Sequence, residues 1–408
     1  MENREAHPAG SATMNPAALE EGVSIRLMNS GNPRIPSLDG LRAISIALVL
    51  ISHATLTPGF YSYLPISFAR FFEVAAGLGV RIFFVISGYI ITRLLLAESE
   101  RNGRINLRKF YYRRTLRIFP PFYFFLFALA VLTVFGHLDL TTKNFVPALT
   151  YTSNYIFTGS GYTAHSWSLS VEEQFYLLWP FVMSLFGRHR AIRAAASLIL
   201  LCPLARFVIL LFFRSHVAWI APHFETVADA VATGCVLAGL YAWLNKQRAY
   251  ARFLASKWFL LVPIILLTVQ LVFANSIRYY FLIYIVLGIT LLNICIALCV
   301  DWSITNHRGY VGRVLNSGPF VYVGTLSYSI YLWQELFLND KTSLHFPWVL
   351  IPVFIAAILS YYLIEKPFLW LRQRMELKLV GPRTKVARSS LPLFDSQLEL
   401  DRDSSSKA

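Results

Sequence analysis

The chain reads as an all-α, polytopic membrane protein with about ten transmembrane helices. Three observations predict this. Hydrophobic residues make up 56% of the 408 residues and charged residues only 14%, where soluble domains carry about 25% charged residues. So few charges cannot cover a water-facing surface, so lipid must solvate much of the chain. Ten apolar runs follow one another, each near the ~20 residues a helix needs to cross a bilayer. Finally, basic residues crowd into alternate loops, as the positive-inside rule requires.

Residues 1–36 are polar, contain Pro, Gly and Ser, and lack the apolar core of a cleavable signal peptide. They are expected to form a cytoplasmic segment, and the run 38–56 to act as its own targeting signal. Further runs lie at 78–97, 118–137, 168–187, 193–213, 223–243, 258–275, 279–299, 320–338 and 347–367. The transmembrane domain is thus expected over 37–370. The tail 371–408, basic and then Ser/Asp-rich, reads as cytoplasmic and disordered. Loops 98–117, 188–193, 244–257 and 301–319 hold sixteen Lys and Arg, and the alternate loops only Arg70, Lys143, Arg214, Arg278 and Lys341. Ten spans keep every rich loop inside and place both termini in the cytoplasm. The polar stretch 145–157 fits as part of one outer loop, 138–167, that dips into the membrane or lies on it. The net charge of +15 is then inner-surface charge and calls for no nucleic acid. Cys202, Cys235, Cys295 and Cys299 sit in apolar runs without metal-ligand or disulfide spacing.

Ionisable residues inside spans are costly and are by default functional candidates. Arg42 and His53 share the first span. Eleven residues at ~100° each return to within about 20° of the same face, and the helix rise separates them by about 16 Å. Asp39 stands just before them, at the inner edge. Snorkelling of Arg42 and headgroup contact by His53 is the competing structural explanation. The fourth run opens with Trp167, Ser168 and, a turn further, the adjacent carboxylates Glu172 and Glu173. These two point about 100° apart, so one is expected to orient His53 while the other meets an arginine or a substrate hydroxyl. An acid-rich helix N-terminus is the simpler alternative. Arg113, Arg114 and Arg117 gather at the inner mouth of the third span, with the last two on one face. Guanidinium clusters suit phosphates, although the positive-inside signal also explains them. Gln334-Glu335 and Glu365-Lys366-Pro367 read as structural, as do Arg81, Arg93 and Asp229, for which pairing is expected, and Arg206, which is either buried or snorkelling. No Walker A loop, dinucleotide fingerprint, nucleophile elbow or His-Glu-x-x-His zinc motif occurs.

Five stretches carry a resemblance to a known family. They are Leu38-Asp-Gly-Leu-Arg-Ala-Ile-Ser-Ile-Ala-Leu-Val-Leu-Ile-Ser-His53, Gly79-Val-Arg-Ile-Phe-Phe-Val-Ile-Ser-Gly-Tyr-Ile-Ile-Thr92, Tyr112-Arg-Arg-Thr-Leu-Arg-Ile-Phe-Pro120, Trp167-Ser-Leu-Ser-Val-Glu-Glu-Gln-Phe-Tyr176 and Leu326-Ser-Tyr-Ser-Ile-Tyr-Leu-Trp-Gln334. In this order they resemble the membrane acyltransferase-3 family of O-acetyl- and O-acyltransferases. The resemblance implies transfer of an acyl group, often acetyl, from a cytoplasmic acyl-CoA to a sugar hydroxyl. The acceptor would be a surface glycan, lipopolysaccharide, exopolysaccharide or glycosylated small molecule, and the enzyme would sit in the cell inner membrane with no bound cofactor. It implies Arg42 and His53 as the Arg-x10-His motif, Arg114 and Arg117 as the acyl-CoA-linked Arg-x-x-Arg motif, and Trp167–Glu173 as the third motif. Relatives often carry His where Gln334 stands, so no acid–base role is expected there. Some relatives add a soluble hydrolase-like domain; with about forty residues after the last run, the membrane domain here is expected to finish transfer or pass the group on. Direct transfer and an acyl-enzyme both fit. A transporter, which would show inverted repeats, and a non-catalytic scaffold, which would not need Arg and His on one stripe, are the rival classes.

Overall fold

The computed structural model describes residues 35–63, 69–156, 161–213, 222–274 and 282–379. The expected N-terminal segment 1–36 lies almost wholly outside the described residues, as does the tail beyond Leu379. Among the described residues the protein is all-helical. The helices are α1 (Leu38–Ala54), α2 (Ala69–Glu73), α3 (Ala75–Asn102), α4 (Leu107–Val134), α5 (Thr142–Leu149), α6 (Ser166–Phe212) and α7 (Phe224–Leu244). They continue as α8 (Arg248–Ala255), α9 (Leu261–Ala274), α10 (Ile289–Thr305), α11 (Tyr310–Leu315), α12 (Gly318–Phe337), α13 (Leu350–Ser360) and α14 (Lys366–Leu379). Residues 371–379 continue α14 past the boundary expected at 370, and Tyr112 of α4 hydrogen-bonds to Met375.

Six helices are long and apolar enough to cross a membrane, or seven if Arg248–Ala255 and Lys257–Val272, bent by 69°, form one span. This is a multi-pass architecture, but the count falls short of ten. The reasons are local. The α1 helix has 17 residues. The 47-residue α6 absorbs two of the predicted runs and breaks at Gly187, whose φ of 71° and ψ of 172° are not helical. At 1.5 Å per residue an unbroken helix of that length would reach about 70 Å, more than twice the hydrocarbon core. The α12 helix carries Ser327, Ser329, Gln334 and Glu335, which lower its apolarity.

Where lipid surrounds the bundle, helices associate through close packing rather than exclusion from water. Small residues make this possible. A Cβ on Gly324 of α12 would collide with the Asp39 carbonyl of α1, and one on Gly79 of α3 with the Ser45 carbonyl of α1. The α1 helix is thereby held between α3 and α12, the placement the site depends on. One polar knot supports the far side of the bundle. Arg206 of α6 is fully buried and pairs with Asp229 of α7, while donating to Thr290 Oγ1 and the Ile285 carbonyl. The pairing expected for Asp229 is present, and of the two alternatives for Arg206 the structure shows burial.

The polar residues after α5 fold inward. Tyr151 stacks on Phe119 and Phe122 of α4 at 5.7 and 4.8 Å between ring centroids. Gln174 of α6 donates to the Tyr151 carbonyl and exchanges hydrogen bonds with Asn154. These are mid-helix positions, so Tyr151 and Asn154 of the polar stretch reach into the bundle.

Candidate active site

Two polar centres lie one above the other. The first is a cavity of about 100 Å³. One stripe from each helix lines it: Arg42 of α1; Phe84 and Ser87 of α3; Arg114 and Arg117 of α4; Ser168, Glu172, Glu173 and Tyr176 of α6; and Tyr328 and Tyr331 of α12. The spacings 168, 172, 176 and 327, 331 are those of single helix faces. The arginines have neighbours. Arg114 stacks its guanidinium 3.5 Å from the Tyr176 ring centroid. Glu365, carried on a π-helical turn (Tyr361–Glu365) between α13 and α14, lies near Arg42 and Arg117 and accepts a hydrogen bond from Ser329 at 3.1 Å. Glu172 accepts from Ser87 at 2.7 Å, whereas the buried Glu173 Oε2 finds no hydrogen-bond partner. Three arginines thus face three carboxylates.

The second centre joins three elements. Glu335, on α12, is only 5% exposed. Its Oε2 accepts from the His165 backbone N–H at 3.0 Å and lies 2.6 Å from His165 Nδ1. Its Oε1 lies 3.6 Å from His53 Nε2. An ionised carboxylate only accepts, so it selects the His165 tautomer that presents Nδ1–H to it, while His53 Nε2 faces it just beyond hydrogen-bond distance. The other nitrogens, His53 Nδ1 and His165 Nε2, are buried and have no hydrogen-bond partner of ordinary geometry. The rings differ in access: the His53 side chain is 24% exposed and the His165 side chain 1%. The edges of Phe125 and Tyr331 wall His165 in. A thin partition separates the two centres. Ser168 Oγ and Tyr331 OH, 2.5 Å apart, both line the cavity and both contact the His165 carbonyl.

The predicted residues therefore divide. Arg42, Arg114, Arg117, Ser168, Glu172 and Glu173 converge on the cavity. Asp39, Arg113 and Trp167 are not among its lining residues; Trp167 packs edge-on against Phe84. The carboxylate placed against His53 is Glu335, not Glu172 or Glu173, whose polar neighbours are Ser87 and Arg114. The correction has a simple cause. Glu172 and Glu173 lie two turns into α6, whereas His53 meets the start of that helix, where His165 sits. His165 and Glu335 are the residues that sequence reasoning undervalued. A carboxylate within an apolar span was the available signal. Two histidines and a carboxylate meet here, yet no group of three or more His, Cys, Asp or Glu side chains could hold a metal ion among the described residues.

The family model described as an acyltransferase domain, acyltransferase-3, matches residues 35–366. The chain belongs to this family. Curated relatives of this acyltransferase-3 chain include the peptidoglycan O-acetyltransferase OatA of Listeria monocytogenes, 28% identical over 74% of this chain and 49% of the relative. The putative peptidoglycan O-acetyltransferase YrhL of Bacillus subtilis is 28% identical over 82% and 54%, and the O-acetyltransferase OatA of Staphylococcus aureus 28% over 84% and 58%. The chain spans about half the length of these relatives. No solved structure matches it.

The arginines of this acyltransferase-3 domain allow a direct test. Arg114→Ala and Arg117→Ala are each expected to weaken binding of acetyl-CoA by about 1.5–3 kcal/mol, the worth of a charge-assisted contact. Titration of the purified variants in lipid checks this; unchanged affinity in both would reduce the cluster to a topology signal.

Proposed function

We propose that the protein is a membrane O-acyltransferase that moves an acetyl group from cytoplasmic acetyl-CoA to a sugar hydroxyl on the outer side. The observation that carries this reading is the stacking of the two centres. A histidine held against a buried carboxylate stands directly above an arginine-lined cavity, one side-chain layer away. On this reading the upper centre activates the acceptor and the lower one holds the donor.

The donor's phosphates would meet the exposed Arg101, Arg104 and Arg108 and the partly buried Arg113 at the start of α4. Its thin thioester arm would enter past Arg114, Arg117 and Arg42. The cavity of about 100 Å³ would receive the end of such an arm. The acyl carbon would stop near Ser168 and Tyr331. A sugar hydroxyl entering from outside would give its proton to His53 Nδ1, the nitrogen the carboxylate leaves free. The hydroxyl oxygen then bonds to the acyl carbon, the C–S bond breaks, and the proton passes from His53 to the leaving thiolate. Glu335 stabilises the imidazolium in between, and His165 anchors Glu335. The relatives named for peptidoglycan make a peptidoglycan hydroxyl the first acceptor to try.

The reading fixes an orientation. Ten spans, with α6 crossing twice about Gly187 and α1 and α12 crossing as well, put 98–117 in the cytoplasm of a cell inner membrane and both termini with it. Labelling of single introduced cysteines is expected to find 99–116 accessible from inside and 138–164 from outside. Labelling of either terminus from outside would overturn this arrangement.

A further inference from the structure

The α12 residue next to Glu335 has a property that packing does not explain. Gln334 is fully buried, at 0% exposure. Its amide lies beside the His53 ring, yet neither Nε2 nor Oε1 has a hydrogen-bond partner of ordinary geometry. Buried amides otherwise pair with backbone or side chains, because an orphaned donor or acceptor carries its full desolvation cost. In a lipid-embedded bundle that cost is higher still. A leucine would fill the space at no such cost. Around the same carboxylate, His53 Nδ1 and His165 Nε2 are also orphaned. Unsatisfied buried polar atoms thus gather beside His53, whose side chain is 24% exposed.

The chemistry of the orphans selects the ligand. A thioester carbonyl or its tetrahedral oxyanion only accepts, so it would serve Nε2 and leave Oε1 bare. A sugar carries neighbouring hydroxyls, each able to donate and accept. Such a polyol serves both ends of the amide at once, where a carbonyl or oxyanion serves one. We propose that Gln334 is the acceptor-recognising residue of the site. Its Nε2–H donates to one ring hydroxyl and its Oε1 accepts from the adjacent one, holding the reacting hydroxyl over His53 Nδ1. The residue touches the acceptor and moves no proton. The proposal rests on the reading that His53 activates a sugar hydroxyl, and it adds that the acceptor presents a hydroxyl pair beside the acetylated position.

The test uses full-length protein in lipid, acetyl-CoA, and soluble envelope-glycan fragments prepared from a strain lacking the gene, which carry the unmodified acceptor. Gln334→Leu is expected to raise KM for the glycan fragments about 10- to 100-fold, the effect of leaving sugar hydroxyls unpaired in a buried site. KM for acetyl-CoA is expected to stay within about twofold, and thermal stability to be unchanged or higher, because an orphaned amide has gone. Gln334→His keeps one donor and one acceptor and is expected to recover most of the lost affinity. A Leu variant with wild-type kinetics would mean that water alone serves the amide, and would overturn the proposal. So would a loss confined to kcat, which would place the amide on the acyl carbon, or a His variant no better than Leu. Wild-type protein that transfers nothing to the fragments would instead overturn the parent reading, and this one with it.

Discussion

Replacing His53 by Ala is expected to lower acyl transfer at least about 100-fold while leaving acetyl-CoA binding intact. A sugar hydroxyl is a poor nucleophile at neutral pH, and a positioned base typically contributes 10²–10⁴-fold. Two histidines touch the buried carboxylate, but they are not equivalent. His165 is bound through both its ring and its backbone and is enclosed by Phe125 and Tyr331. His53 is the ring a substrate can reach. Donor binding is expected to survive because Arg42, on the same unbroken helix, stands eleven residues and so about 16 Å toward the inner side. The check is turnover and acetyl-CoA titration of the purified variant in lipid. A His53→Ala variant within a few-fold of wild type, beside an inactive His165→Ala variant, would transfer the base role to His165.

Glu335→Gln carries the second largest expected effect, a loss in kcat of about 100-fold or more. The carboxylate accepts from His165 Nδ1 and the His165 N–H, and it faces His53 Nε2. An amide in its place must turn an N–H₂ toward one of these donors. That selects the wrong tautomer of one ring and removes the charge that stabilises the imidazolium, the loss seen when a triad's carboxylate is neutralised. Glu172→Gln is expected to reduce turnover less, since its amide oxygen still accepts from Ser87. Comparing kcat for the two variants at matched folded fraction separates their roles. Equal losses would return Glu172 to the position beside His53.

The sequence shows the fold class and most of the cavity because both are written in local patterns. Apolar runs, basic loops and single-face spacings need no knowledge of which helix touches which. Arg42, Arg114, Arg117, Ser168, Glu172 and Glu173 are each legible in that way. The His53–Glu335–His165 cluster is not, because it depends on α12 lying against α1. That contact is set by Gly324 meeting the Asp39 backbone across almost 300 residues of chain. Without it, the nearest carboxylates by motif, Glu172 and Glu173, are the natural partners to assign. The span count misleads for a related reason. Two crossings can share one helical stretch around Gly187, and a functional span such as α12 is less apolar because it carries the site.

Isotope tracing tests the central claim most directly. Cells carrying the wild-type gene, no gene, or the His53→Ala gene at equal protein level would be grown on labelled acetate. Base-labile acetyl esters on their envelope glycans would then be read by mass spectrometry. The account predicts labelled esters on a sugar hydroxyl in the wild type and their absence from both other strains. Identical ester patterns in all three would contradict it.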